Sequence, residues 1–210
     1  MSKTPVILGI ETSSTLCSVC FWSRGKLLAS AEEDIGFGHA SVFFSLLGRL
    51  EKEASCTLQD ITHVAVTRGP GSFTGIRVGL SIAKGFAFAG NLPLLGLTTF
   101  EVARHSLAFD GPTCVALDTK RQDFYAAFEG LEDMPPPGIF SKEDILAVLE
   151  KHSDVRLISD SLNSFPDLKS ACGLKLTSRD VAHAAEDFLK AESASFSSEP
   201  FYLRPPKVYE

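Results

Sequence analysis

The chain has 210 residues, of which 44% are hydrophobic and 22% charged, with a formal net charge of −6. That is the composition of an ordinary globular protein with room for a sizeable core, as one domain or two small ones. The acidic balance argues against a surface that holds nucleic acid unaided. The odd, scattered set Cys17, Cys20, Cys56, Cys114 and Cys172 argues against a disulfide framework and for a reducing compartment. No apolar run is long enough to cross a membrane, and Met1 to Pro5 lacks a signal-peptide layout, so the expected compartment is the cytoplasm.

Val6 to Ile10 is a short apolar run and predicts a central strand. Glu11 to Ser14 turns the chain. Leu16 to Trp22 and Lys26 to Ala31 predict two further strands around the Arg24-Gly25 turn. Cys17 and Cys20, three residues apart on a strand, point to opposite faces, and no second pair follows to make a zinc site. After the break at Gly36-Phe37-Gly38, His39 to Lys52 predicts a helix, with Val42, Phe43, Leu46, Leu47 and Leu50 at helical spacing. Phe44 lies off that stripe, so the apolar arc is wide. His39, near the helix start, is a cap, a partner contact or a ligand.

His63 to Thr67 predicts a buried strand. It runs into Arg68-Gly69-Pro70-Gly71-Ser72-Phe73-Thr74-Gly75-Ile76-Arg77-Val78-Gly79, and a helix is predicted over Phe73 to Gly90. Strand, glycine-rich turn and helix start form a device that can cradle a phosphate, cap a helix or sit against a protein. It is neither a P-loop, lacking Gly-Lys-Ser/Thr, nor the dinucleotide fingerprint, because Gly75 follows Gly71 by four residues. Ser72 and Thr74 are candidate caps. Ile76, Leu80, Ala83 and Ala87 share one side of this helix, while Val78, Ile82, Phe86 and Phe88 spread round another. Such a helix is covered on both sides, by its own chain or by a partner.

Leu94 to Leu97 predicts a strand and Thr98-Thr99 caps a helix to about Phe109. Asp110-Gly111-Pro112 marks a boundary. A second pass of the same pattern then opens: Thr113 to Thr119 echoes Val6 to Thr12, with Asp118 in the place of Glu11. Arg121 to Glu129 is its hairpin strand. Met134 to Gly138 is a loop, Lys142 to Lys151 a helix, Val155 to Ser159 a strand and Arg179 to Ala191 a last helix. The tail from Glu199 to Lys207 mixes prolines, aromatics and bases. It serves as a packed arm, a partner contact or a disordered end.

The string Gly-Pro-Gly-Ser-Phe-Thr-Gly-Ile-Arg-Val-Gly over residues 69–79, with Glu-Pro-x-Tyr-Leu-Arg over 199–204, resembles the bacterial TsaB (YeaZ) family. The resemblance implies an α/β protein of the actin-like (ASKHA, ribonuclease H-like) fold. It has two tandem related subdomains, the second degenerate: 1–110 with the glycine loop, 111–195, and a tail over 196–210. It implies a role in making N6-threonylcarbamoyladenosine beside the tRNA anticodon, as a non-catalytic partner of the larger relative TsaD. TsaD has a His-x-x-x-His metal pair, and Thr99 and Ala103 stand where its histidines would be. Glu101 remains, with His105 two residues off. The second-half turn Asp118 to Asp123 has no glycine with which to approach a phosphate.

No catalytic residue, metal site or cofactor of its own is therefore expected, ATP and metal belonging to partner proteins. The expected partners are TsaD in a heterodimer, the small ATPase TsaE in a larger assembly, and a second copy when alone, with tRNA met only indirectly. The expected interface is His39, Phe43, Phe44 and Leu47 on the first helix with Phe73, Ile76 and Leu80 on the second. The glycine-rich loop comprises Arg68, Gly69, Pro70, Gly71, Ser72, Thr74, Gly75 and Arg77. Glu11 and Asp118 are candidates for a vestigial nucleotide site, and the sequence leaves open whether Arg204 and Lys207 touch tRNA. The competing expectations are an actin-fold ATPase or phosphotransferase using Glu11, Asp118 and the loop, and a metallopeptidase, which Thr99 and Ala103 oppose.

Overall fold

A computed structural model describes residues 4–36, 38–107, 109–168, 171–191 and 196–205. Phe37 and Lys207, both named above, lie outside them. The chain divides into two compact units, Met1–Val102 with Leu176–Phe201, and Ala103–Lys175 with Tyr202–Glu210. The division differs from the expected 1–110, 111–195 and 196–210 in one main respect: the last helix belongs to the first unit.

The first unit is built on a five-stranded sheet of β1 (Ile7–Glu11), β2 (Leu16–Ser23), β3 (Lys26–Asp34), β4 (His63–Thr67) and β5 (Leu94–Leu97), in the order β3-β2-β1-β4-β5. β1 pairs antiparallel with β2 and parallel with β4, and β4 pairs parallel with β5. All five residues of β1 are buried, because the strand is covered on both faces. Leu8, Ile10, Val64 and Val66 pack with α1 (His39–Glu53) and α2 (Phe73–Gly90) through Phe43, Leu46, Leu47, Leu50, Ile76 and Leu80.

The opposite face carries α5 (Ser178–Lys190), which packs on β1, β2 and β4. The helix comes so close that a Cβ on Gly9 would lie 2.4 Å from the Ser178 carbonyl oxygen, so only glycine fits there. Ser18 Oγ and Ser178 Oγ lie 2.7 Å apart, and the Cys20 thiol donates to the Ser178 carbonyl at 3.2 Å. Glu186 accepts from Trp22 Nε1 at 3.0 Å and from the Gly25 amide at 2.8 Å, which fixes the helix to the β2–β3 hairpin.

The second unit repeats the pattern. β6 (Thr113–Asp118), β7 (Phe124–Glu129), β8 (Gly138–Phe140), β9 (Arg156–Ser159) and β10 (Cys172–Gly173) follow the order β8-β7-β6-β9-β10, with β6–β7 antiparallel and β6–β9 parallel. This is the strand order and direction of the first sheet, so the echo between Val6–Thr12 and Thr113–Thr119 is structural. α4 (Lys142–Lys151) takes the place of α1, started by a Ser141–Asp144 capping box. Among the described residues, the position of α2 is filled by the short 3-10 turn Leu162–Ser164, the physical form of the degeneracy. Phe124 and Phe165, with ring centroids 5.1 Å apart, lie in its core. α3 (Thr99–Ser106) spans the division between the units and ends three residues before the expected stop at Phe109.

Candidate functional site: the glycine loop and the outer helical face

Residues 68–75 are bound into the first unit at several points. The Arg68 amide donates to the Leu97 carbonyl at 2.8 Å, and the Gly69 carbonyl accepts from the Thr99 amide at 2.8 Å. The Pro70 carbonyl accepts from Thr99 Oγ1 at 2.7 Å. The Ser72 amide donates to the Ser13 carbonyl at 2.7 Å, and Thr12 Oγ1 donates to the Gly75 carbonyl at 2.8 Å. Ser72 also caps α2, its Oγ accepting from the Gly75 amide at 3.2 Å. A Cβ on Gly75 would lie 1.9 Å from the Thr12 carbonyl oxygen. Of the three uses open to the loop, the geometry matches packing and capping. Gly75 admits the β1–β2 turn, and the Ser72 amide points at the chain's own carbonyl.

The tail joins the same loop. The Phe201 amide donates to the Arg68 carbonyl at 2.7 Å, the Arg68 guanidinium sits 5.4 Å from the Phe201 ring centroid, and Lys84 pairs with Glu199 at 3.4 Å. Over 196–201 the tail is thus a packed arm. Arg204 pairs with Asp123 within the second unit.

Glu11 is buried. One carboxylate oxygen accepts from the Ser13 amide at 2.5 Å, and among the described residues neither the other oxygen nor the buried Thr67 Oγ1 makes a hydrogen bond of normal geometry. Burial pushes the carboxyl above the ordinary carboxylate range, against the opposing pull of the Ser13 hydrogen bonds. Asp118 is placed differently: its carboxylate accepts from the Lys120 amide at 2.6 Å and from Lys120 Nζ at 3.0 Å. Burial opposes its ionisation, but these Lys120 contacts hold it below its usual range. Cys17 and Cys20 face opposite sides of β2, and burial pushes their thiols up to about 11 and about 12. Such thiols are not nucleophilic.

At the start of α3, Thr98 and Glu101 form a reciprocal cap. Glu101 accepts from the Thr98 amide at 2.6 Å and from its hydroxyl at 2.7 Å, so this carboxylate serves the helix end. Ala103 is buried and apolar.

The expected interface needs correction. Phe43, Leu47, Ile76 and Leu80 are buried against the sheet. His39 is buried too, its Nε2 3.0 Å from the Ser14 carbonyl oxygen, where it ties the start of α1 to the β1–β2 turn. These side chains form the unit's own core because the arc of each helix that holds them lies over β1, β2 and β4. Outward stand Phe44, 58% exposed, and Phe88, 91% exposed. Between the helices, Ala40, Phe73, Thr74, Arg77, Val78, Ser81 and Ile82 line an open groove of about 340 Å³. Phe44 and Phe73 remain from the expected set. Ala40 and Ser81 were missed, being too small to mark a helix face in the sequence. Val78, Ile82 and Phe88 belong to the second apolar side noted for this helix.

The family model of tRNA N6-adenosine threonylcarbamoyltransferase (TsaD) matches residues 35–135. The chain is 31% identical to the tRNA threonylcarbamoyladenosine biosynthesis protein TsaB of Escherichia coli strain K12, over 94% of each chain. The chain belongs to the TsaB family. A weaker likeness, 34% identity over 51% of this chain and 36% of the relative, links it to the tRNA N6-adenosine threonylcarbamoyltransferase of Bacillus thuringiensis strain Al Hakam. Among solved structures, YeaZ from Pseudomonas aeruginosa superposes with a TM-score of 0.77 and 20% identity, over 95% of this chain and 100% of that one. The TsaB fold is thus the actin-like α/β fold, two sheets of the same topology with the second unit reduced. The family name ties the chain to threonylcarbamoyladenosine biosynthesis. No helix among the described residues is long and apolar enough to cross a membrane.

Proposed function

We propose that the protein is a non-catalytic partner of TsaD, which it holds in its active form through the outer face of α1 and α2. The observation that carries this reading is the open, mainly apolar groove lined by Ala40 and by residues of α2 from Phe73 to Ile82, together with the exposed Phe44 of α1 and Phe88 of α2. An apolar face of this kind, with the side chains on the other side of both helices already spent on the core, calls for cover by another protein. Resemblance to the TsaD model over 35–135 supports a partner of the same architecture, since related chains often pair through equivalent elements.

Three placements support the non-catalytic half of the reading. The Arg68, Ser72 and Gly75 amides and the Gly69, Pro70 and Gly75 carbonyls of the loop are bonded within the chain, Glu101 caps a helix, and Thr99 and Ala103 offer no metal ligand. ATP and metal then belong to the partner proteins. TsaE joins the larger assembly, and tRNA is reached through TsaD, all in the cytoplasm. In isolation the same face pairs with a second copy.

The test mixes the protein with TsaD of its own organism, in size-exclusion chromatography with light scattering and in a threonylcarbamoyl-transfer assay on tRNA. The expected result is a 1:1 complex that is active only with both proteins and is lost in a Phe44→Asp, Val78→Asp double variant. A protein that ignores TsaD and hydrolyses ATP alone overturns the proposal.

A further inference from the structure

Arg104, Arg179 and Arg204 each face a carboxylate. Arg68, among the described residues, forms no ion pair. Its stem passes over Gly96, where a Cβ would come within 3.3 Å of the arginine Cδ, and its guanidinium lies 5.4 Å from the centroid of the Phe201 ring. Nε is shut off from water, and among the described residues it donates to no acceptor with normal geometry. Glu199, two residues before Phe201, pairs with Lys84 instead. Burying a charged donor without an acceptor is costly. A guanidinium confined by its stem and by a ring keeps its charge and its fork of donors.

The arm over residues 196–201 lies against this side chain. Its backbone rests directly on two glycines. A Cβ on Gly96 would stand 2.0 Å from the Ser197 carbonyl oxygen, and one on Gly69 2.5 Å from that of Phe201. The grip is nevertheless light, for none of residues 196–201 is fully buried. The arm is held by the Phe201 amide on the Arg68 carbonyl, by the ring on the guanidinium, and by the Lys84–Glu199 pair. The side chains of that pair are 44% and 78% exposed, so it contributes little. A closed arm thus sets a few weak contacts against one unsatisfied charged donor.

From this balance we infer that Arg68 is an oxyanion site closed by the arm, and that the arm and the oxyanion compete for its guanidinium. With Phe201 lifted, Nε and a terminal nitrogen form a side-on fork that takes two oxygens of a phosphate or carboxylate group. The anion gives the guanidinium the counter-charge that the closed arm does not supply. Lifting the arm also bares the backbone at Gly96 and Gly69, so occupancy of the site changes the surface beside the glycine loop. The coupling is reciprocal: the anion releases the arm, and whatever loosens the arm tightens the anion. Neither Arg68 nor any residue of the arm lines the groove between α1 and α2, so the site does not depend on the partner reading.

The experiment is amide hydrogen exchange of the full-length protein in sodium chloride, sodium phosphate or sodium acetate at one ionic strength, which keeps screening of the Lys84–Glu199 pair constant. Calorimetry with the same salts gives each Kd. With phosphate at about ten times its Kd, exchange over 196–201 is expected to rise by about tenfold or more above its value in chloride. A larger rise in acetate at the same multiple of Kd supports the site with a carboxylate as its occupant. Arg68→Met is expected to abolish the response, and Arg68→Lys, which keeps the charge without the fork, to retain a weak one. Phe201→Ala is expected to bind phosphate roughly tenfold more tightly than the wild type, because its arm no longer competes.

Failure of both anions to bind overturns the inference. So does binding that leaves exchange of the arm at its chloride value. A response that persists in full in Arg68→Met assigns the anion to another group and likewise overturns it. Thermal melts check that each variant is folded, and with Arg68→Met unfolded the other two variants decide: equal phosphate affinity in Phe201→Ala and the wild type overturns the inference.

Discussion

Thr12 and Gly75, sixty-three residues apart in the chain, are joined at 2.8 Å by the threonine hydroxyl donating to the glycine carbonyl, and the backbone oxygen of Thr12 occupies the space a Cβ on Gly75 would need. The contact is backbone against backbone, so neither side can yield by changing a rotamer. Gly75→Ala is expected to destabilise the protein by about 1–3 kcal/mol or more through overpacking. Gly85→Ala in the same helix, where a Cβ meets nothing within 4 Å, is expected to stabilise it by about 0.5–1 kcal/mol. Urea unfolding of the two variants reads both signs; equal effects would show that the loop is not packed as described.

The two faces of α2 predict opposite outcomes for one chemical change. Ile76 is 1% exposed, and Ile76→Asp buries an unpaired carboxylate, so loss of several kcal/mol and of soluble expression is expected. Val78→Asp, on the groove, is expected to stay within about 0.5 kcal/mol of the wild type in chemical denaturation. A folded Ile76→Asp protein would reverse the assignment of the faces.

Glu11 predicts a pH effect of unusual sign. Its folded pKa is raised by burial above the ordinary value of 4.5, so the native state holds this proton where the unfolded chain has released it. Its contribution is fully present below pH 4.5 and is lost as pH climbs from there through the raised folded value. Glu11→Gln keeps the shape and removes the titration. The slope of stability against pH above 4.5 is expected to be less negative in the variant, and identical slopes would refute a neutral Glu11.

Much of this fold could be read in the sequence because its central strands are continuous apolar runs bounded by Gly, Pro and polar turns. The β4–loop–α2 unit lies where its residues predicted. Other parts depend on tertiary context. β8 and β10 have three and two residues beside proline or glycine, too short for a period. The last helix follows the second sheet in sequence but lies on the first, and its alanines and single serine carry no mark of that destination. Wide apolar arcs on α1 and α2 were legible, but which arc meets the sheet is decided by packing. Phe43 therefore went inward while its neighbour Phe44 stayed out.

Glu186 predicts the opposite pH behaviour. Burial disfavours its charge, but the hydrogen bonds from Trp22 and Gly25 and the nearby Lys190 ammonium win and hold its pKa below 4.5. The stability it contributes is present above pH 4.5 and is lost as pH falls through the depressed folded value. Glu186→Ala leaves the indole and amide donors unpaired at a cost of about 1–3 kcal/mol. Glu186→Gln keeps an acceptor and should cost less. Denaturation at neutral and acidic pH separates them, and equal losses at both pH values would count against the charge.

The position of α5 also sets an order of assembly during synthesis. All five strands of the second sheet emerge from the ribosome ahead of α5, whereas the α5-facing side of the first sheet, with Gly9 and Cys20, stays bare until residues 178–190 emerge. The half of the protein synthesised first is therefore completed last. A nascent chain halted near residue 175 would present an uncovered apolar sheet, the kind of surface on which chaperones act.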